Sequence, residues 1–271
     1  MAFLVVVRGG GDLASGVIVR LVRAGIRVVV IELPQPLAVR RSVSFAQAVY
    51  SQTFAIEGIQ AQLTKNLADI PVLFGSGVVP VLIDPEATCL KTLHPQVVVD
   101  ARMRKRPPES AYPAEWFCIG LGPGFVAGEN CDAAVETKRG HFLGRLYWHG
   151  SPEPDTGKPE SVENREGERV IRAPNSGKLE NLVEIGDTVL QGTHLARVAG
   201  EVVYAPFPGI VRGMLMGGVL VERGMKIGDL DPRSDPKYCT MVSDKALAVG
   251  GGVMEAIFSR PEFREKICSS G

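Results

Sequence analysis

Three glycines, Gly9, Gly10 and Gly11, separate an apolar run at residues 3–7 from an amphipathic helical pattern. The spacing Gly9-x-Gly11-x-x-Ala14 fits the dinucleotide-binding fingerprint, in which small residues let backbone approach a pyrophosphate at a helix N-terminus. Asp12 and Leu13 complete that turn. Asp12 reads either as a helix cap or as the holder of a cation that bridges to phosphates, because a carboxylate there favours the helix dipole but repels an anion. A second apolar run, 26–31, ends in Glu32, placed to accept hydrogen bonds from ribose hydroxyls. Arg40 and Arg41 follow; they are either a clamp for a second anionic group or a solvated basic pair.

Further chemistry-bearing residues lie at the ends of other β-like runs. Asp100 closes the run 96–99, and Gly122 and Gly124 sit in a glycine turn after 116–119, readable as an anion nest or as a plain tight turn. Glu136, Arg139 and His141 fall between β-like runs 132–136 and 142–149, at a hairpin tip. A carboxylate, a guanidinium and an imidazole suffice for acid–base work, although a solvated turn is the commoner fate of such a cluster. Lys245 stands after Ser243 and Asp244 at a helix start. Asp100, Glu136, Arg139, His141 and Lys245 are therefore the catalytic candidates. No spacing of His or Cys suggests a metal ligand set.

The elements that must position these residues are short, almost wholly apolar runs at 3–7, 26–31, 78–83, 96–99 and 116–119, which suit a parallel sheet covered on both faces. The expected class is α/β, a Rossmann-like parallel sheet domain over residues 1–150. A polar, proline- and glycine-rich stretch at 151–167 reads as a linker. Residues 168–233 contain an internal repeat: Ala173, Pro174 and Gly177 lead through Gly186 to Gly192, and Ala205, Pro206 and Gly209 lead through Gly217 to Gly224. This resembles the small β barrel-sandwich hybrid of lipoyl and biotinyl carrier domains. Such carriers attach their group to a lysine on the connecting hairpin, and residues 198–204 hold none, so no lipoate or biotin is expected. Residues 234–271 are expected to pack back on the first domain. Gly250, Gly251 and Gly252 interrupt a helical pattern there, marking either a break or a close approach of backbone or ligand.

Lys plus Arg and Asp plus Glu number 30 each, so no global field favours nucleic acid or an anionic membrane. No apolar segment approaches the ~20 residues that cross a bilayer. Five scattered cysteines suggest reduced thiols and a cytoplasmic location.

Several strings together, RGGGDLASGV, GLGPGF, ETKRGHFLGR, KIGDLDPR and SDKA, resemble the selenium-dependent molybdenum hydroxylase system proteins. The resemblance implies a cytosolic accessory protein for maturation of a molybdenum hydroxylase. It also implies a nucleotide or molybdenum cofactor as ligand, and a hydroxylase subunit or cofactor-maturation proteins as partners. Homo-oligomerisation stays open. An NAD(P)-dependent oxidoreductase is the alternative.

Overall fold

The structure, a computed structural model, describes residues 2–108, 112–154, 167–233 and 235–269. It divides into two units, one of Met1–Pro36, Phe45–Thr156 and Val242–Gly271, the other of Leu37–Ser44 and Gly157–Met241. The expected linker at 151–167 lies, from 155 to 166, outside the described residues.

The first unit begins with β1 (Leu4–Arg8), α1 (Asp12–Arg23) and β2 (Arg27–Glu32). It continues through α2 (Ala48–Ser51), β3 (Thr53–Ile56), β4 (Ile59–Leu63), α3 (Ile70–Gly75) and β5 (Val79–Ile83). Then come α4 (Leu90–Leu93), β6 (Val97–Asp100), β7 (Phe117–Leu121), β8 (Ala133–Val135) and β9 (Leu146–Tyr147). The second unit holds β10 (Val170–Arg172), β11 (Gly177–Asn181), β12 (Thr188–Val189), β13 (His194–Val198) and β14 (Glu201–Tyr204). It adds β15 (Gly209–Met214), β16 (Leu220–Val221), β17 (Lys226–Asp231) and α5 (Lys237–Thr240). The chain then re-enters the first unit as α6 (Asp244–Phe258) and α7 (Pro261–Cys268).

The first unit is one nine-stranded sheet in the order β3-β4-β5-β2-β1-β6-β7-β8-β9. Its interior is parallel because Val5 to Val7 and Val97 to Val99 are buried from both sides. Alternate residues feed two cores: Val5 and Val7 face the cluster under α1 and α6, and Val6 and Val98 face a smaller one with Ile70 and Trp116. Each wholly buried valine contributes about 1.5–3 kcal/mol. The expected Rossmann-like parallel sheet is corrected at both edges, where β3 pairs antiparallel with β4 and β9 with β8, giving a mixed sheet. The apolar runs pointed only to strands covered on both faces. β4, in contrast, buries every second residue, so no continuous apolar run announced it.

α1 buries Ala14, Val17, Ile18 and Leu21 on one stripe and leaves Arg20 and Arg23 in its last turn, where cations suit the helix dipole. α6 starts at Ser243, whose hydroxyl accepts the Ala246 N–H at 3.1 Å. It runs unbroken through its three glycines, and neighbouring backbone approaches two of them. A Cβ on Gly250 would lie 2.7 Å from the Gly16 oxygen of α1, and one on Gly252 would lie 2.4 Å from the Gly144 oxygen.

In the second unit the two repeat copies bond reciprocally: Gly192 N–H donates to the Ala205 carbonyl, and Gly224 N–H to the Ala173 carbonyl. The expected lipoyl- or biotinyl-like barrel-sandwich hybrid is nonetheless corrected. The strands form two four-stranded antiparallel sheets, β10-β17-β15-β12 and β14-β13-β11-β16. Turn residues fix where strands reverse, but not which sheet each strand joins.

Two buried carboxylates close this unit. Asp231 receives Nε and Nη2 of Arg233 at 2.9 and 2.7 Å, and Asp229 receives Arg169 and Arg212 at 3.2 and 3.4 Å. Burial alone would raise the Asp231 carboxyl, but the Arg233 hydrogen bonds and the charges of Arg233 and Arg212 outweigh it and hold it below 3.8. A depressed folded-state pKa contributes stability above the unfolded value and loses it as pH falls through the folded one. The melting temperature of the wild type is therefore expected to fall as the pH drops below about 4, with a flatter profile for Asp231→Asn. Calorimetric scans across that range check this.

No helix among the described residues is long and apolar enough to cross a membrane. The cysteines are free; Cys89, Cys118, Cys131 and Cys239 are buried and Cys268 is exposed.

Candidate functional site

β1 and β6 lie side by side, and the chain leaves them in opposite directions, towards β2 and towards β7. In open α/β sheets the ends of strands at such a switch point are where ligands bind. The turn 9–11 leaves β1 there and the segment 101–106 leaves β6.

The glycines of this edge make room for the protein's own chain. Gly9, at φ +94°, would place a Cβ 3.3 Å from the Ala101 oxygen and 3.4 Å from the Arg102 Cα. Gly124, at φ +102°, would place one 2.4 Å from the Arg106 oxygen. A Cβ on Gly122 would meet Thr137 Oγ1 at 2.5 Å and Met103 Cε at 3.3 Å. Gly10 is held by Ala46, whose N–H donates to the Gly10 carbonyl at 2.9 Å. Only Gly11, at the start of α1, has no atom within 4 Å of its Cβ position among the described residues. Gly9, Gly122 and Gly124 thus converge on one segment, 101–106.

That segment carries Arg102, Arg104, Lys105 and Arg106. Met103 and Lys105 sit at φ +54° and +61°. Left-handed backbone costs a non-glycine residue roughly 1–3 kcal/mol, and such strain clusters at ligand-binding sites. Asp100, almost wholly buried, anchors its start. Arg102 donates from Nε to Oδ1 at 2.9 Å and from Nη2 to Oδ2 at 2.6 Å, and the Tyr112 hydroxyl donates to Oδ2 at 2.8 Å. Burial, then the Asp100 charge, pushes the Tyr112 phenol well up against the opposing influence of Arg8, so it stays a donor. Arg8, the last residue of β1, reaches Tyr112 from the other side.

Glu32 braces the glycine turn, its Oε1 accepting the Gly10 N–H at 2.6 Å and its Oε2 the Leu33 N–H at 2.8 Å. Burial raises its carboxyl above the ordinary value despite those two bonds. Asp12 opens α1, with Leu13 and Ala14 following in its first turn. Glu136, buried at the end of β8, accepts the N–H groups of Lys138 and Glu153, both at 2.7 Å, and so ties two loops together. Arg139 forms a bidentate pair with exposed Asp244, at 2.6 and 2.9 Å, beside Lys245 in the first turn of α6. His141 is exposed and stacks edge-on against Phe142. Arg40 and Arg41 belong to the second unit. The first is buried against the Tyr238 and Met241 carbonyls, and the second donates to the Met214 carbonyl at 2.8 Å. A cleft of about 770 Å3 in that unit is lined by Arg41, Lys178, Asn181 and Glu184 among others, and mixes both signs of charge. No group of three or more His, Cys, Asp or Glu side chains among the described residues could hold a metal ion.

The basic segment and Tyr112 escaped the motif reading, which took Arg8 as an offset to the Asp12 charge and not as a partner of Tyr112. The available signal was local: four cations in five residues directly after an acid-terminated strand.

No family model matches the chain. The uncharacterized protein YqeB of Escherichia coli (strain K12) is 42% identical over 254 residues, which is 94% of this chain and 47% of that protein. The chain thus spans about half the length of the curated relative it matches. Among solved structures, an aspartoacylase family protein from Mesorhizobium loti aligns at 10% identity and a TM-score of 0.26 over 84% of each chain. A succinylglutamate desuccinylase/aspartoacylase from Rhodobacter sphaeroides aligns at 16% and 0.26 over 84% and 85%. At TM-scores this low the likeness assigns neither fold nor activity.

With no family model matching the chain and an uncharacterized protein as the relative found, the resemblance to selenium-dependent molybdenum hydroxylase system proteins is corrected, together with the maturation role and the selenium dependence. The strings that carried it have structural roles: ETKRGHFLGR forms the β8–β9 connection, KIGDLDPR is β17 with its ion pairs, and SDKA caps α6. The NAD(P)-dependent oxidoreductase alternative is set aside with it, since the Gly10 amide that would face a pyrophosphate is donated to Glu32.

Proposed function

We propose that the first unit binds a small phosphate-bearing ligand, a nucleotide, in the crevice outside the carboxyl ends of β1 and β6. The observation that carries this reading is the basic segment 101–106, seated against Gly9 and Gly124 at the switch point. Guanidinium groups match phosphate oxygens in pairs and remain charged at any physiological pH. In this reading arginine and lysine side chains grip the phosphates, and the glycines position the segment that bears them. The α1 N-terminus, open at Gly11, adds a favourable dipole. Glu32, although engaged by two amides, keeps a second lone pair on each oxygen for a ribose hydroxyl. Asp100 and Glu136 are each committed to internal bonds, which favours binding over acid–base turnover. The free cysteines fit a cytoplasmic setting.

Isothermal titration with ATP at low and high salt tests the proposal. Saturable binding that weakens with salt is expected, and Lys105→Ala/Arg106→Ala should weaken it about tenfold, as for two partly screened charge contacts. Absence of ATP binding at millimolar concentration would overturn it.

A further inference from the structure

Arg8 occupies an unusual position for a cation. It ends β1, the strand at the switch point, and lies half-buried. Its Nη2 donates to the Pro85 carbonyl at 2.7 Å and its Nη1 to the Tyr112 hydroxyl at 3.2 Å. Its Nε is shielded from solvent and has no acceptor among the described residues. The acid nearest in the network, Asp100, is already matched: Arg102 occupies both of its oxygens, and Tyr112 donates to one of them. The hydrogen bonds therefore run in one direction, from Arg8 to Tyr112 to Asp100. Asp100 and Arg102 cancel in charge and the phenol is neutral, so among the described residues the positive charge of Arg8 meets neutral acceptors, a carbonyl and a hydroxyl.

Shielding part of a guanidinium from water with no carboxylate partner among the described residues costs free energy, and such departures from local consistency are expected at functional sites. The nearest feature of the same strand ends is the basic segment 102–106, so a ligand there meets cations from two strands.

We infer that Arg8 is the phosphoryl anchor of this crevice, binding ligand oxygens directly, and that Tyr112 is a positioning residue that fixes the plane of its guanidinium. The inference rests on the nucleotide reading and adds the recognised group, a phosphoryl oxygen, and the residue that recognises it.

Titration of wild type, Arg8→Gln, Arg8→Lys and Tyr112→Phe with ATP, inorganic pyrophosphate and adenosine tests both levels separately. Arg8→Gln should weaken ATP and pyrophosphate about 30-fold, the loss typical of a charge-assisted contact, and leave adenosine unchanged. Arg8→Lys should recover part of the loss, because it keeps the charge without the fork. Tyr112→Phe should weaken ATP about fivefold with no change for adenosine. Wild-type affinity for ATP in Arg8→Gln, or in Tyr112→Phe and Arg8→Lys if Arg8→Gln fails to fold by circular dichroism, would overturn the anchor and leave the nucleotide reading standing. Pyrophosphate bound as tightly as ATP, with the Arg8 loss intact, would keep the anchor and overturn the nucleotide. A wild type that binds none of the three would end both.

Discussion

Gly16→Ala is expected to destabilise the first unit by about 2 kcal/mol or more, although alanine is the better helix former. The added methyl would lie 2.3 Å from the Ala246 carbonyl carbon and oxygen, in the backbone of the helix packed on α1. Backbone cannot rotate aside as a side chain does, so α1 and α6 must separate. Opening a packed interface costs roughly 1–3 kcal/mol and sometimes more, against about 1 kcal/mol gained in propensity. Gly250→Ala meets the same obstacle from the opposite helix, 2.7 Å from the Gly16 oxygen. Gly251→Ala supplies the control: no atom lies within 4 Å of its Cβ position among the described residues, so only propensity acts. Thermal melts should place Gly16→Ala and Gly250→Ala about 4–8 °C below the wild type and Gly251→Ala about 2–4 °C above it. Equal behaviour of the three would show that helix propensity, not close packing, governs α6.

The second large effect belongs to Asp100. Asp100→Ala is expected to cost about 3 kcal/mol, because it removes an almost wholly buried carboxylate that accepts from both the Arg102 guanidinium and the Tyr112 hydroxyl. Removing both charges is gentler than removing one, so Asp100→Ala/Arg102→Met should regain much of the loss. Urea denaturation of the two singles and the double measures the coupling. Additive losses would mean that the pair contributes nothing as a pair.

What could be read from the sequence follows from how local each cause is. β1, β2, β5, β6 and β7 fall within about two residues of continuous apolar runs, because burial on both faces writes itself into consecutive residues. β3 and β4 left no such run, and with them went the mixed character of the sheet. The repeat in the second unit showed itself through Ala-Pro and glycine spacing, and its reciprocal bonds are real, but sheet membership depends on partners far along the chain. The glycines marked close approaches without naming what approaches: Arg106 at Gly124, Ala101 and Arg102 at Gly9, Gly16 at Gly250. For the same reason the tie between Arg8 and Tyr112, 104 residues apart, had no local trace.

What everything functional here depends on is that positive side chains hung over the ends of two neighbouring central strands are there to receive phosphate. A crystal structure of the protein grown with ATP addresses this directly. Density for the phosphate chain lying between the Arg8 guanidinium and residues 102–106 is the predicted result. ATP lodged elsewhere, such as the cleft beside Lys178, with Arg8 still bound only to Pro85 and Tyr112, would contradict it.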